Sequence, residues 1–128
     1  VALDLYDAEG GQPARFARYR ANADALYDGL AAIGLRPYLE KRHQGPVIVT
    51  VHQPADPRFD LMQFVEALKR RGVLISNFYN PAAPTLRIGA IGAITTDDIH
   101  RAVAAIAARP VITVNASRGM RTSMFFRL

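Results

Sequence analysis

Apolar residues recur every three or four positions from Ala14 to Ile33, through Phe16, Tyr19, Ala23, Leu26, Leu30 and Ile33. That is the stripe of one amphipathic helix. Arg15, Arg18, Asn22 and Asp28 fall mostly off it, and Gly34 supplies the stop. Ahead of it Val1 to Glu9 is helix-compatible, Gly10-Gly11 interrupts, and Pro13 suits a first helical turn. A second helix is expected from Asp60 to about Arg71. It has a capping-box-like Asp60/Gln63 start, an apolar side of Leu61, Phe64, Val65 and Leu68, and Gly72 as its stop. A third begins at Thr95-Thr96-Asp97-Asp98, buries Ile99, Val103 and Ile106, and ends at Arg109-Pro110.

Between the helices the period shortens. Pro46 to His52 is β-branched almost throughout and predicts a strand, mid-sheet with a layer on at least one side. Val73-Leu74-Ile75 and Leu86 to Ile91 predict two more, and Leu35-Arg36-Pro37 a short edge strand. Lys41 to Gly45 reads as a polar loop, Pro54 to Pro57 as a turn and Asn80 to Pro84 as a loop. The order helix, strand, helix, strand, strand, helix predicts an α+β two-layer sandwich. Its small mixed or antiparallel sheet carries the helices on one face. Residues 1–108 form this unit. After Pro110 the pattern fails, Val111–Val114 aside, and residues 109–128 read as an atypical basic tail.

Length and composition fit one globular domain: 128 residues, half of them hydrophobic. No apolar run reaches the ~20 residues of a membrane span, and no secretory signal opens the chain. The absence of cysteine excludes disulfides, thiolate catalysis and Cys-ligated zinc, and fits a cytoplasmic location. The net charge of +5 is local. Residues 109–128 carry Arg109, Arg118, Arg121 and Arg127 and no acid, which leaves twelve Lys/Arg against eleven Asp/Glu in residues 1–108. A nearly neutral body argues against nucleic acid as a partner.

One residue breaks the apolar pattern. Arg87 stands inside Leu86-Arg87-Ile88-Gly89-Ala90-Ile91-Gly92, in what reads as a buried strand. A guanidinium keeps its charge, and burying it unpaired costs several kcal/mol. So Arg87 either reaches a surface, paired with a carboxylate there, or awaits an anion, for which its planar fork suits two-oxygen recognition. Gly89 and Gly92 permit close backbone approach beside it. His43, His52 and His100 have no metal-ligand spacing and read as structural or exposed. Ser76, Ser117 and Ser123 lack a nucleophile elbow, and no phosphate-binding glycine loop occurs. The run Lys69-Arg70-Arg71 reads as a solvated helix end.

Several segments together resemble the 2-aminoethylphosphonate–pyruvate transaminase family. Ala8-Glu9-Gly10-Gly11, then Ala14 to Tyr19 and Asn22, resembles its E-G-G…A-R…A-R-Y-x-x-N stretch. Gly34-Leu35-Arg36 ahead of Pro46 to Thr50 is similar to the segment leading into its P-I-I-T-T strand. Phe64, Leu68, Lys69, Arg71 and Gly72 resemble its F…F-x-x-L-K-x-R-G helix, and Leu86 to Gly92 its F-R-I-G-x-I-G element. Asp97-Asp98-Ile99 is similar to the start of its final helix. The resemblance covers about residues 1–108 and implies the C-terminal small domain of a class V aminotransferase, a fold type I pyridoxal 5'-phosphate enzyme. Such an enzyme is a homodimer that moves the amino group of 2-aminoethylphosphonate to pyruvate, giving phosphonoacetaldehyde and alanine. The arginine matching Arg87 would bind the acidic group of the substrate.

The same resemblance implies a fragment. The cofactor domain and its Schiff-base lysine are not in this sequence, and neither Lys41 nor Lys69 has the context for that role, so the isolated chain is expected to bind no cofactor and to be inactive. Ser76-Asn77-Phe78-Tyr79-Asn80 departs from the family's Y-P-G-K-like turn, which leaves the substrate open. Two alternatives stand beside this reading: another class V aminotransferase, of alanine–glyoxylate or serine–pyruvate type, or a non-enzymatic α+β module that binds small acids or proteins. A nucleic-acid binder is a more distant third.

Overall fold

A computed structural model describes residues 1–76 and 82–108. The expected tail and most of the Ser76–Asn80 departure lie outside the described residues. The elements are α1 (Ala2–Glu9), α2 (Gly11–Ala32), a 3₁₀ turn (Lys41–His43), β1 (Ile48–His52), α3 (Leu61–Lys69), β2 (Thr85–Gly89) and α4 (Thr96–Ala107).

Glycines and caps set the helix limits as the sequence predicts. Gly10, at φ 105°, turns the chain between α1 and α2. Beyond α2, Gly34 takes φ 86°, and the N–H groups of Gly34 and Leu35 return to the carbonyls of Ala31 and Leu30, both at 3.0 Å. This pair of bonds satisfies carbonyls that the helix end leaves open. Gly72, at φ 76°, does the same for α3, with Gly72 N–H to Lys69 at 2.9 Å and Val73 N–H to Leu68 at 3.1 Å. Asp60 accepts from the Gln63 N–H at 2.8 Å to start α3. Thr95 and Asp98 form a reciprocal capping box on α4.

The end of α3 explains one correction. Val73-Leu74-Ile75, expected as a strand, joins no ladder among the described residues. The Val73 N–H is already taken by the helix end, and Leu74 is left 78% exposed. Among the described residues the sheet is therefore two-stranded and antiparallel, with Val49 opposite Ile88, Thr50 opposite Arg87 and Val51 opposite Leu86. The expected edge strand at Leu35–Pro37 reduces to one bridge from Pro37 to Val51. The bonds around it come from Tyr38 N–H to Thr50 and from His52 N–H to Arg36, both at 2.9 Å, because proline has no N–H to give.

Among the described residues the sheet has one covered face. Val49, Val51, Leu86 and Ile88 enter a core with Leu26 and Leu30 of α2, Phe64 and Leu68 of α3, and Ile99 and Ile106 of α4. On the other face Ile48, Arg87 and Gly89 are exposed, and Thr50 and His52 are half-buried. The expectation of a buried strand from Leu86 to Ile91 is thus corrected. Leu86, Ile88 and Ala90 point inward, while Arg87, Gly89 and Ile91 alternate outward with the two-residue period of a strand.

The α2 stripe is also shifted. Phe16, expected in it, is 51% exposed, whereas Asn22, expected off it, is 1% exposed. Further along, Gly29 lets α2 approach α4: a Cβ there would stand 2.9 Å from Val103 Cγ2.

Candidate functional site

Arg87 occupies the middle of β2 on the face that the helices leave open. Arg87 is exposed there, so the strand does not bury its charge. That surface is concave. A cavity of about 490 Å³ is lined, among the described residues, by Val47, Ile48, Leu74, Ile75, Ser76, Arg87, Gly89 and Ile91. Apolar walls and one permanent cation suit a small anion with a short carbon chain, since recognition sites combine apolar surface with few polar groups.

Gly89 shapes this cavity. It lies two residues from Arg87 on the same strand face, and a Cβ built on it meets nothing within 4 Å. Its backbone is not left-handed, so the glycine is not required by the turn geometry. Its effect is the open space beside the guanidinium. Gly92, by contrast, has φ 106° and serves the turn after β2.

The other candidates separate. Ser76 joins Arg87 at the cavity; Ser117 and Ser123 lie outside the described residues. His43 and His100 are exposed and away from it. His52 shares the open face of the sheet, half-buried against Tyr38, with ring centroids 5.4 Å apart. Burial, and then the charge of Arg36, hold its imidazole below the usual histidine range. Among the described residues no group of histidines and acids could hold a metal ion, and no helix is long and apolar enough to cross a membrane. Lys41 pairs with Asp28 at 2.6 Å, a hydrogen bond that raises its pKa, and Lys69 pairs with Glu66 at 3.8 Å. Neither lysine lines the cavity.

The groups that hold the segment after β2 are not evident from the sequence. Glu9, at the end of α1, accepts from Arg15 Nε and Arg18 Nε, each at 2.7 Å. The bond from Arg18, followed by that from Arg15, holds the Glu9 carboxyl at about 2. Arg18 also donates to the carbonyls of Gly92 and, at 3.3 Å, Ile94. Asn22 Nδ2 donates to Ala90 at 3.4 Å and to Ile94 at 3.0 Å. The signal was present in Glu9, Arg18 and Asn22 as motif letters, but nothing in the letters showed what they touch.

No family profile matches the chain. Over 107 residues it is 47% identical to a 2-aminoethylphosphonate–pyruvate transaminase of Burkholderia ambifaria, covering 84% of this chain and 29% of that one. Over 106 residues it is 46% identical to the protein of the same name from Paraburkholderia phymatum, covering 83% and 29%. The chain belongs to this transaminase family. It spans under a third of the length of these relatives, so it corresponds to part of such an enzyme. A ureidoglycine–glyoxylate aminotransferase of Bacillus subtilis shares the fold, with a TM-score of 0.69 at 24% identity over 90% of this chain and 32% of that one.

Proposed function

We propose that this chain is the C-terminal small domain, residues 1–108, of a transaminase that moves the amino group of 2-aminoethylphosphonate to pyruvate, and that Arg87 binds the acidic end of both substrates. One observation carries the role of Arg87: it is the cation lining an open, otherwise largely apolar cavity on the uncovered sheet face. Phosphonate and carboxylate each present two or more oxygens to a planar fork. A charge that never titrates can serve both as they alternate through one site.

A transaminase of this kind uses pyridoxal 5'-phosphate, which supplies the amino-carrying chemistry. The described residues do not fit that cofactor, since both lysines are held in surface ion pairs away from the cavity. The Schiff-base lysine would come from the rest of the enzyme, and the chain alone would be inactive. Homodimeric assembly and a cytoplasmic location complete the proposal, the first supported by the family resemblance and the second by the absence of cysteine.

The test is steady-state kinetics of the full-length enzyme with 2-aminoethylphosphonate and pyruvate. Arg87→Lys is expected to raise KM for both by about tenfold. That corresponds to ~1.5 kcal/mol, the low end for a hydrogen bond to a charged group, because Arg87 is exposed. Unchanged KM for both would remove Arg87 from the site. Faster turnover with alanine or serine as amino donor would favour another class V aminotransferase.

A further inference from the structure

The turn that follows β2 is an irregular piece of backbone whose carbonyls need donors. Those of Ala90, Gly92 and Ile94 find them on one helix face: Asn22 serves Ala90 and Ile94, and Arg18 serves Gly92 and Ile94. Arg18 is itself aimed. Glu9 grips its Nε at 2.7 Å, and the left-handed Gly10 turns α1 so that Glu9 can reach α2. From the other side, the Ala90 N–H donates to Val47 at 2.8 Å, which extends the pairing of β2 with β1 past Gly89. The end of β2 is therefore clamped between β1 and α2, three residues beyond Arg87.

We propose that Glu9, Arg18 and Asn22 are positioning residues for Arg87. Leu86 and Ile88 fix how high β2 stands over the helices, because their side chains enter the core. The ladder fixes β2 against β1, but the two strands together rest on the helices through apolar packing, which is non-directional and restrains sliding over them poorly. Directional bonds to three carbonyls of the adjoining turn restrain that sliding, and with it the place of the guanidinium in the cavity. A misplacement of about 1 Å is enough to cost a large factor in substrate handling. Asn22 is suited to this because it is buried and its amide donates twice, whereas a hydrophobic residue at that point of the stripe would leave the Ala90 carbonyl without this donor and Ile94 with Arg18 alone.

This inference rests on the proposed role of Arg87, and one experiment separates the two. In the full-length enzyme, KM and kcat for 2-aminoethylphosphonate and pyruvate would be measured for Arg18→Gln, Arg18→Lys, Glu9→Gln and Arg87→Lys. Melting temperature would be recorded for each, with Gly29→Ala as a destabilised control distant from the turn. Arg18→Gln is expected to raise KM for both substrates about fivefold with kcat per folded enzyme retained, Arg18→Lys to lie between it and the parent, and Gly29→Ala to leave KM unchanged. Combined with Arg87→Lys, Arg18→Gln should add little further. A lowered melting temperature with unchanged KM in Arg18→Gln and Glu9→Gln, alongside a raised KM in Arg87→Lys, overturns the positioning role alone. Unchanged KM in Arg87→Lys overturns the role of Arg87, and the positioning role falls with it.

Discussion

Thr50 and Arg87 face each other across the antiparallel pair of β1 and β2, on the sheet surface that the helices leave open. The pairing puts the strand's one cation outward while its neighbours Leu86 and Ile88 pack inward. An exposed cation is strongly screened by salt, since the Debye length falls from about 30 Å at 0.01 M to about 8 Å at 0.15 M. KM for both acidic substrates of the full-length enzyme should therefore rise several-fold over that range. In Arg87→Gln the rise should be smaller, and a steady-state salt series on both enzymes checks it.

Gly89→Val tests the cavity floor. The new side chain meets no atom within 4 Å at its Cβ and needs no unusual backbone, so stability should change by less than about 0.5 kcal/mol. It projects beside Arg87, so KM for both substrates should rise while the melting temperature holds. Thermal unfolding and kinetics on the same preparation separate these effects.

Glu9 gives a pH prediction. Its folded pKa is depressed from the ordinary 4.5 to about 2 by hydrogen bonds from Arg18 and Arg15. Its contribution to stability is thus fully present above about 4.5 and is lost as pH falls from there through about 2. Glu9→Gln should be less stable than the parent at neutral pH, and the gap should close toward pH 2. Denaturant unfolding at a series of pH values measures it.

Gly29→Ala should destabilise by about 1 kcal/mol, because overpacking of 1–3 kcal/mol outweighs a helix-propensity gain near 1 kcal/mol. The clash is with Val103, whose branched side chain turns stiffly in a helix. In the Gly29→Ala background, Val103→Ala should therefore cost less than it does alone. A double-mutant cycle by thermal unfolding reports the coupling.

Local chemistry settled a large part of this fold. Gly10, Gly34 and Gly72 took the left-handed positions that end or break helices, and Asp60 and Thr95 took the caps, because each acts on backbone groups only a few residues away. The alternation around Leu86 to Ile91 was also in the sequence, although the run looked buried on both sides. A strand's two faces differ only through what packs on them, and that is set by distant helices.

Long-range contacts decided the rest. Asn22 looked like a polar residue beside an apolar stripe until the turn after β2 came against it, 68 and 72 residues later in the chain. Val73 to Ile75 had the letters of a strand, but the end of α3 had taken the first N–H. The sequence by itself determined the helices, their limits, the one unusual cation and the family. Only the tertiary structure decided that Arg87 is exposed above a cavity and that Glu9, Arg18 and Asn22 hold the end of its strand. Hydrogen-bond geometry between remote segments depends on how the apolar faces pack, and no spacing along the chain encodes that directly.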